Sequence, residues 1–132
     1  MIEFKFGNEI RELSELLEKV EASPWYRRME AKQGYILSLA LEEMVSNIIK
    51  YGYDDDAHHV IQVNLEPMDD GIHVTIIDDG HEFNPLNASA AEVNCDLACR
   101  PVGGVGILLT KKLSRGVEYH REGCKNVLKI LI

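Results

Sequence analysis

The chain has 132 residues, of which 45% are hydrophobic and 27% are charged, as in an ordinary globular protein of one domain. Its 14 Lys and Arg against 22 Asp and Glu give a net charge of −8, which disfavours binding to nucleic acid and to anionic membrane surfaces. No signal peptide is evident, and no apolar run approaches the roughly 20 residues of a membrane span. Cys95, Cys99 and Cys124 lack zinc-site spacing and cannot all pair, which favours reduced thiols. We expect a soluble, cytoplasmic protein.

The first half of the chain predicts one strand and two helices. Residues 2–6 alternate apolar and charged side chains, as in a short half-buried strand. Asn8 offers a helix cap, and the apolar spacing over residues 9–20 predicts an amphipathic helix. Ser23 and Pro24 interrupt this pattern. A second, strongly apolar helix is predicted over residues 36–48, and it ends at Gly52.

The second half predicts two hairpins separated by a long irregular segment and a short helix. The strand signals cover residues 60–65, 72–77, 117–120 and 127–132, and the short helix covers residues 107–113. Residues 81–102 are rich in Asn and Ala with weak periodicity, which predicts a mobile lid. The order of elements predicts one α+β domain over residues 1–132, a two-layer sandwich with a mixed β-sheet and helices on one face.

Glu43 and Asn47 are four residues apart on the second helix, so both project from one face beside its apolar stripe. Glu43 suits a general base, and the carboxamide oxygen of Asn47 suits Mg²⁺, which accepts a few protein oxygens together with substrate phosphates. Taken alone, the pair is more typical of a solvated helix edge than of a catalytic site.

Asp78, Asp79 and Gly80 follow an apolar strand, where the edge of a sheet opens into a cleft. The Asp78 carboxylate can accept a hydrogen bond from the exocyclic amine of a purine, and Gly80 lets the backbone approach a flat ring. The alternative is a simple Asp-Gly turn.

Gly103, Gly104, Val105 and Gly106 precede the short helix, so their N–H groups and the helix start could hold phosphates. The spacing fits neither a P-loop nor a dinucleotide-binding motif, and a glycine hinge is the alternative. Arg100, Lys111 and Lys112 could add positive charge near a triphosphate, although such residues are mostly solvated.

A histidine pair and a cysteine pair are both interpreted as residues without a catalytic or metal-binding role. His58 and His59 lack a matching pair of ligands and are predicted to lie at the surface rather than in a metal site. Cys95 and Cys99 lie within the predicted lid, where small apolar filler is the expected role.

Three motifs occur together: Glu43-Met-Val-Ser-Asn47 with Lys50-Tyr-Gly-Tyr53, Asp78-Asp-Gly80 with Phe83-Asn-Pro85, and Gly103-Gly-Val-Gly106. In order and spacing they resemble the N, G1 and G2 boxes of the GHKL ATPase superfamily. From about residue 36 onward, the chain resembles the bacterial anti-sigma-factor serine kinases within it. The last hairpin carries Gly123-Cys-Lys-Asn126 in place of the Gly-Thr box of histidine kinases.

The resemblance implies a Bergerat fold that binds ATP between its helices and a lid at about residues 81–102. It implies that Glu43 activates the attacking hydroxyl and that Asn47 holds Mg²⁺. It also implies that Asp78 contacts adenine, that Gly80 shapes the base pocket, and that Gly103, Gly104, Val105 and Gly106 line the phosphates. The resemblance implies two protein partners: an antagonist protein, which carries the acceptor serine, and a sigma factor. It leaves open whether the chain forms a homodimer.

Two alternatives remain beside the kinase. One is a binding module that uses nucleotide only to set its conformation and partner affinity, without phosphoryl transfer. The other is the catalytic fragment of a histidine kinase, for which we expect no room for separate dimerisation helices in 132 residues.

Overall fold

The computed structural model describes residues 1–87 and 104–132. The strands are β1 (Ile2–Gly7), β2 (Val60–Met68), β3 (Gly71–Asp78), β4 (Gly116–Glu122) and β5 (Lys125–Leu131). The helices are α1 (Ile10–Glu21), α2 (Pro24–Arg28), α3 (Ala31–Tyr51) and α4 (Gly104–Leu113), with a short 3-10 helix at Pro85–Asn87. Within these two ranges, no helix is long and apolar enough to cross a membrane.

The five strands form one sheet in the order β1-β2-β3-β5-β4, and every pairing within it is antiparallel. The α+β class is confirmed, but the expectation of a mixed sheet was wrong. The reason lies in the path of the chain after α4. It enters the sheet at the outer edge as β4 and folds back as β5, so β5 rather than β4 lies beside β3 and runs opposite to it.

One face of the sheet forms the core with the helices. Alternate residues of β2, β3 and β5 point to this face and are buried, and the buried residues of α1 and α3 pack against them. The fully buried side chains include Val20, Leu37, Leu41, Val45, Ile61, Val63 and Leu65. The sheet therefore presents one apolar face to the helices, as the two-layer prediction requires.

The helices differ from the prediction in two places. Ser23 and Pro24 do more than interrupt the first helix, because Pro24 begins α2, where its missing N–H costs nothing. Asn8 does not cap α1: its side chain donates to the carbonyl of Ala57 at 3.4 Å and accepts from the N–H of His59 at 3.1 Å. It thereby ties the end of β1 to the segment that precedes β2.

Candidate functional site

The core face of the sheet turns polar at one end. A row of three paired residues crosses this end of the sheet: Asp78 on β3, Asn126 on β5 and Arg121 on β4. Asp78 and Asn126 are two residues from Ile76 and Leu128, respectively, so they share the same core-facing side. Asp78 is 5% exposed and Asn126 is 7% exposed. Because buried polar groups are costly unless they are hydrogen-bonded, this row requires an internal network or a ligand.

The Asp78 carboxylate is held through one of its two oxygens. Its Oδ1 accepts the Gly80 N–H at 2.8 Å and the Asn126 Nδ2 at 3.1 Å. Within the described residues, both bonds to this carboxylate end on Oδ1, which leaves Oδ2 for a ligand. Burial raises the pKa of Asp78, and the bonds from Asn126 and Gly80 oppose that rise.

Gly80 lies where two segments of backbone meet. A Cβ built on it would collide with the carbonyl oxygen of Gly52, at the end of α3. That same carbonyl accepts the N–H of His81 at 2.9 Å. The carbonyl of Gly80 in turn accepts Nη1 of Arg121 at 2.8 Å. Only glycine therefore lets the segment after β3 pass this close to the end of α3.

An apolar pocket opens between α3, α4 and this end of the sheet. It brings Asn47 and Asp78, two of the predicted site residues, to one cavity. Its other walls include Met44, Ile48, Phe83, Pro85, Ile107 and Leu128. Apolar walls with a few convergent polar groups are typical of sites for flat organic ligands.

Glu43 faces a different space from the one in which Asp78 lies. It lines a groove between α1 and α3, and Asn47 and Tyr51 line both this groove and the apolar pocket. A Cβ built on Gly106 would collide with the Glu43 carboxylate, so the start of α4 lies directly against this side chain. Burial is the main cause that raises the pKa of Glu43, with a further contribution from the charge of Glu42.

Asn47 lines both the apolar pocket and the groove along Glu43. Its side chain makes no hydrogen bond to any residue in the described ranges, so its carboxamide oxygen is available. No group of three His, Cys, Asp or Glu side chains in those ranges is arranged to hold a metal ion. A single protein oxygen fits Mg²⁺, which keeps several waters and takes further oxygens from phosphates.

The glycine run is described only in part. Gly104 and Val105 begin α4, followed by Gly106, whereas Gly103 lies outside the described residues. Lys111 and Lys112 lie in the last turn of this helix, and Lys111 donates to the carbonyl of Leu86 at 3.0 Å.

Several other predictions concern residues that the structure does not describe. They cover Arg100, Cys95, Cys99 and the predicted lid beyond residue 87. Cys124 is described, and it is exposed in the turn between β4 and β5.

His59 differs from the predicted surface histidine. Its Nε2 lies 2.7 Å from Oδ1 of Asp55 and its Nδ1 lies 3.1 Å from Oδ1 of Asp79. Its ring stacks on Tyr53 with the two centroids 4.1 Å apart. The hydrogen bond with Asp55 is the main cause that raises the pKa of His59. His59 thus links the segment after α3 to the residue that follows Asp78.

The residues that the sequence reasoning missed are Asn126 and its neighbours on β4, Tyr119 and Arg121. The Oδ1 of Asn126 accepts the Tyr119 hydroxyl at 2.6 Å and Nη1 of Arg121 at 3.1 Å. One signal was present in the sequence: Asn126 is the polar first member of an alternating buried series that continues with Leu128 and Ile130 on β5. A polar residue in a buried register indicates a specific partner.

The chain matches a known protein family. A model of the family described as the histidine kinase-like ATPase domain matches residues 6–132, nearly the whole chain. None of the curated proteins compared with the chain matches it. The match and the antiparallel sheet with helices on one face agree with each other. The chain therefore belongs to the histidine kinase-like ATPase domain family and is an ATP-binding domain of the GHKL type.

Proposed function

We propose that residues 1–132 form a single kinase domain that transfers the γ-phosphoryl group of ATP to a serine of an antagonist protein. The proposal follows the resemblance to anti-sigma-factor kinases, in which the antagonist and a sigma factor are alternative partners. Sigma factors act in the cytoplasm, so the proposal includes a cytoplasmic location. Residues 81–102 are proposed as the ATP lid.

The observation that carries the proposal is the contact between Glu43 and Gly106. It sets a carboxylate against the start of α4, the helix that follows the proposed phosphate-binding glycines. Helix starts attract phosphate groups because their N–H groups are unpaired and the helix dipole is positive there. A base in this position would lie beside the terminal phosphate, where an acceptor hydroxyl must arrive.

The raised pKa of Glu43 suits that role. A general base works best when its pKa is closer to the working pH than that of an ordinary carboxylate. In the proposed step, Glu43 takes the proton of the serine hydroxyl while the serine oxygen bonds to the γ-phosphorus. The bond from that phosphorus to the β,γ-bridging oxygen breaks, and ADP and phosphoserine leave. The groove along Glu43 offers a route for the acceptor that is separate from the apolar pocket.

The other proposed roles are in binding ATP and its metal ion. Asp78 is proposed to accept a hydrogen bond from the adenine amine through Oδ2, with Gly80 holding the backbone close to the base. Gly103, Gly104, Val105 and Gly106 are proposed to line the phosphates. Asn47 would hold Mg²⁺, which supplies neutralisation of the charge on the phosphates when it is bound.

The nucleotide site is tested first by calorimetry. We expect Mg²⁺ to strengthen ATP binding to the wild type, because Asn47 adds a ligand to the metal. We expect the Asn47→Ala variant to lose this dependence on Mg²⁺ and the Asp78→Asn variant to bind ATP and ADP more weakly. Absence of ATP binding to the wild type, with or without Mg²⁺, would contradict the proposed site.

The transfer step is tested with Glu43→Gln, which keeps the size of the side chain and its packing against Gly106. We expect nearly unchanged ATP affinity but loss of phosphoserine formation from γ-labelled ATP, because a base acts mainly in the transition state. Glu18→Gln is the matched control, since Glu18 is exposed on α1 and lines neither the groove nor the apolar pocket. Phosphoserine formation by Glu43→Gln at the wild-type rate would remove Glu43 from the mechanism. Regulation of a partner without any transfer would favour the non-catalytic binding module.

A further inference from the structure

Asn126 is the centre of the polar network at the end of the sheet. It is 7% exposed and lies opposite Asp78 on one side and Arg121 on the other. Its Nδ2 donates to Asp78 Oδ1 and, at 2.9 Å, to the carbonyl of His81. Its Oδ1 accepts from Tyr119 and Arg121 and, at 3.4 Å, from the N–H of Phe83. Both ends of the carboxamide are therefore occupied by neighbours from three different segments.

These neighbours fix which way the carboxamide points. A guanidinium group can only donate hydrogen bonds, so the Asn126 atom that lies 3.1 Å from Arg121 Nη1 must be the oxygen. The N–H of Phe83 points to the same atom and can likewise only donate. The amide nitrogen of Asn126 is then necessarily the atom that faces Asp78.

This orientation decides what Asp78 can offer to a ligand. With two N–H groups already directed at Oδ1, a proton on that oxygen would face two donors. Oδ1 is thus held as an acceptor, and Oδ2 is the atom that can gain or lose a proton. An ionised Oδ2 accepts a hydrogen bond from an amine, whereas a protonated Oδ2 donates one to a carbonyl oxygen.

Other groups also act on Asp78 from the surrounding segments. Asp79 follows it on the chain and disfavours its charge, whereas Arg121 on β4 favours it. Burial is the main cause that raises the pKa values of Tyr53 after α3 and Tyr119 on β4, and the charge of Asp78 adds to both shifts. His81 lines the same pocket. Among the groups that favour the ionised form of Asp78, Asn126 makes the largest contribution.

We infer that Asn126 is a positioning residue that determines base specificity. By donating a hydrogen bond to Oδ1 of Asp78, it keeps Oδ2 of that carboxylate an acceptor. An acceptor at this point selects a purine with an exocyclic amine over one with an oxo group. This inference rests on the nucleotide site proposed above. It adds a residue on β5 that acts only through Asp78, and it predicts that specificity changes when the bond to Asp78 is lost.

The test compares ATP with inosine triphosphate, which carries an oxo group in place of the amine, by calorimetry from pH 5 to 8.5. The wild type should prefer ATP, and its ATP affinity should fall at low pH as Asp78 gains a proton. Asn126→Leu keeps a similar volume but cannot donate. In this variant the acid decline should move to higher pH by about one unit, the size expected for loss of one hydrogen bond to a carboxylate. The preference for ATP should fall severalfold near pH 6.

Asn64→Leu is the matched control, because Asn64 lies on the opposite face of the sheet, where its side chain bonds only Gln62 among the described residues. It should leave both the pH profile and the preference unchanged. If Asn126→Leu gives no cooperative unfolding transition, Asn126→Ala, which leaves space for water, is measured in the same way.

The outcomes separate this inference from the function on which it rests. Equal weakening of both nucleotides in the Asn126 variant, with the acid decline at the wild-type pH, would overturn the positioning role and leave the ATP site intact. A wild type that binds neither nucleotide would refute the proposed site, and the role of Asn126 with it.

Discussion

The two ends of one sheet face differ in what they contact. Toward one end, residues such as Val63, Val74 and Ile130 are buried against the helices. At the other end, in the same register, Asp78 and Asn126 bond each other and the adjoining backbone, beside an open pocket. The same alternation of side chains therefore builds the core at one end and a candidate ligand site at the other.

This difference suggests that stability and binding can be changed separately. The apolar end is stabilised by burial, which is roughly proportional to the area removed from water. The polar end is held by directional hydrogen bonds, and their value depends on the orientation of particular atoms. Substitutions at the apolar end should lower the free energy of unfolding, whereas substitutions at the polar end should mainly change affinity.

The largest expected effect comes from the apolar end. Leu41 on α3 is fully buried and does not line the pocket. Leu41→Ala should lower the free energy of unfolding by about 2–5 kcal/mol, because it removes buried methyl groups and leaves a cavity. Urea denaturation measures this change. ATP affinity of the folded variant should stay at the wild-type value; a parallel loss of affinity would show that the two ends are coupled.

A smaller effect is expected where α3 meets α4. Gly106→Val introduces atoms where the Glu43 carboxylate lies, so it should cost about 1–3 kcal/mol of stability through overpacking. Gly116→Val is the control, since a Cβ at Gly116 has no atom within 4 Å and Val is favoured in a strand, so this variant should not lose stability. Equal unfolding free energies for the two variants would mean that Glu43 moves aside freely.

The smallest effect depends on pH and concerns His59. Its pKa is raised in the folded state, so its charge stabilises the fold below the unfolded-state value of about 6.5. That stabilisation is lost as the pH rises through the folded-state pKa. His59→Phe keeps a ring against Tyr53 but loses the bonds to Asp55 and Asp79. Its deficit in unfolding free energy should be larger at pH 5.5 than at pH 9; a deficit that does not change with pH would contradict the charged pair.

The fold was largely predictable because its signals are local. Alternation on β2 and β3 and the apolar spacing of α3 identify these elements without knowledge of their neighbours. The direction of pairing was not predictable, since it depends on whether β4 or β5 lies beside β3. That choice depends on the path of the whole chain.

The candidate site was predictable only in its motif residues. Asp78, Asn47 and Glu43 stand in recognisable short motifs, whereas Asn126 gains its role from a partner 48 positions away. The contact between Glu43 and Gly106 likewise depends on how α4 packs on α3. Such contacts require the register of the sheet and the placement of the helices, which no short motif encodes.

The strand order leaves β4 as one outer edge of the sheet, and this edge affects how the protein behaves at high concentration. Exposed sheet edges pair with one another unless charge opposes it. Glu118, His120 and Glu122 on β4 are exposed and alternate along one face. In two antiparallel β4 strands paired about His120, Glu118 of each chain would lie opposite Glu122 of the other, and like charges in that position repel. Continuation of the sheet from one molecule into the next is therefore unfavourable in this register.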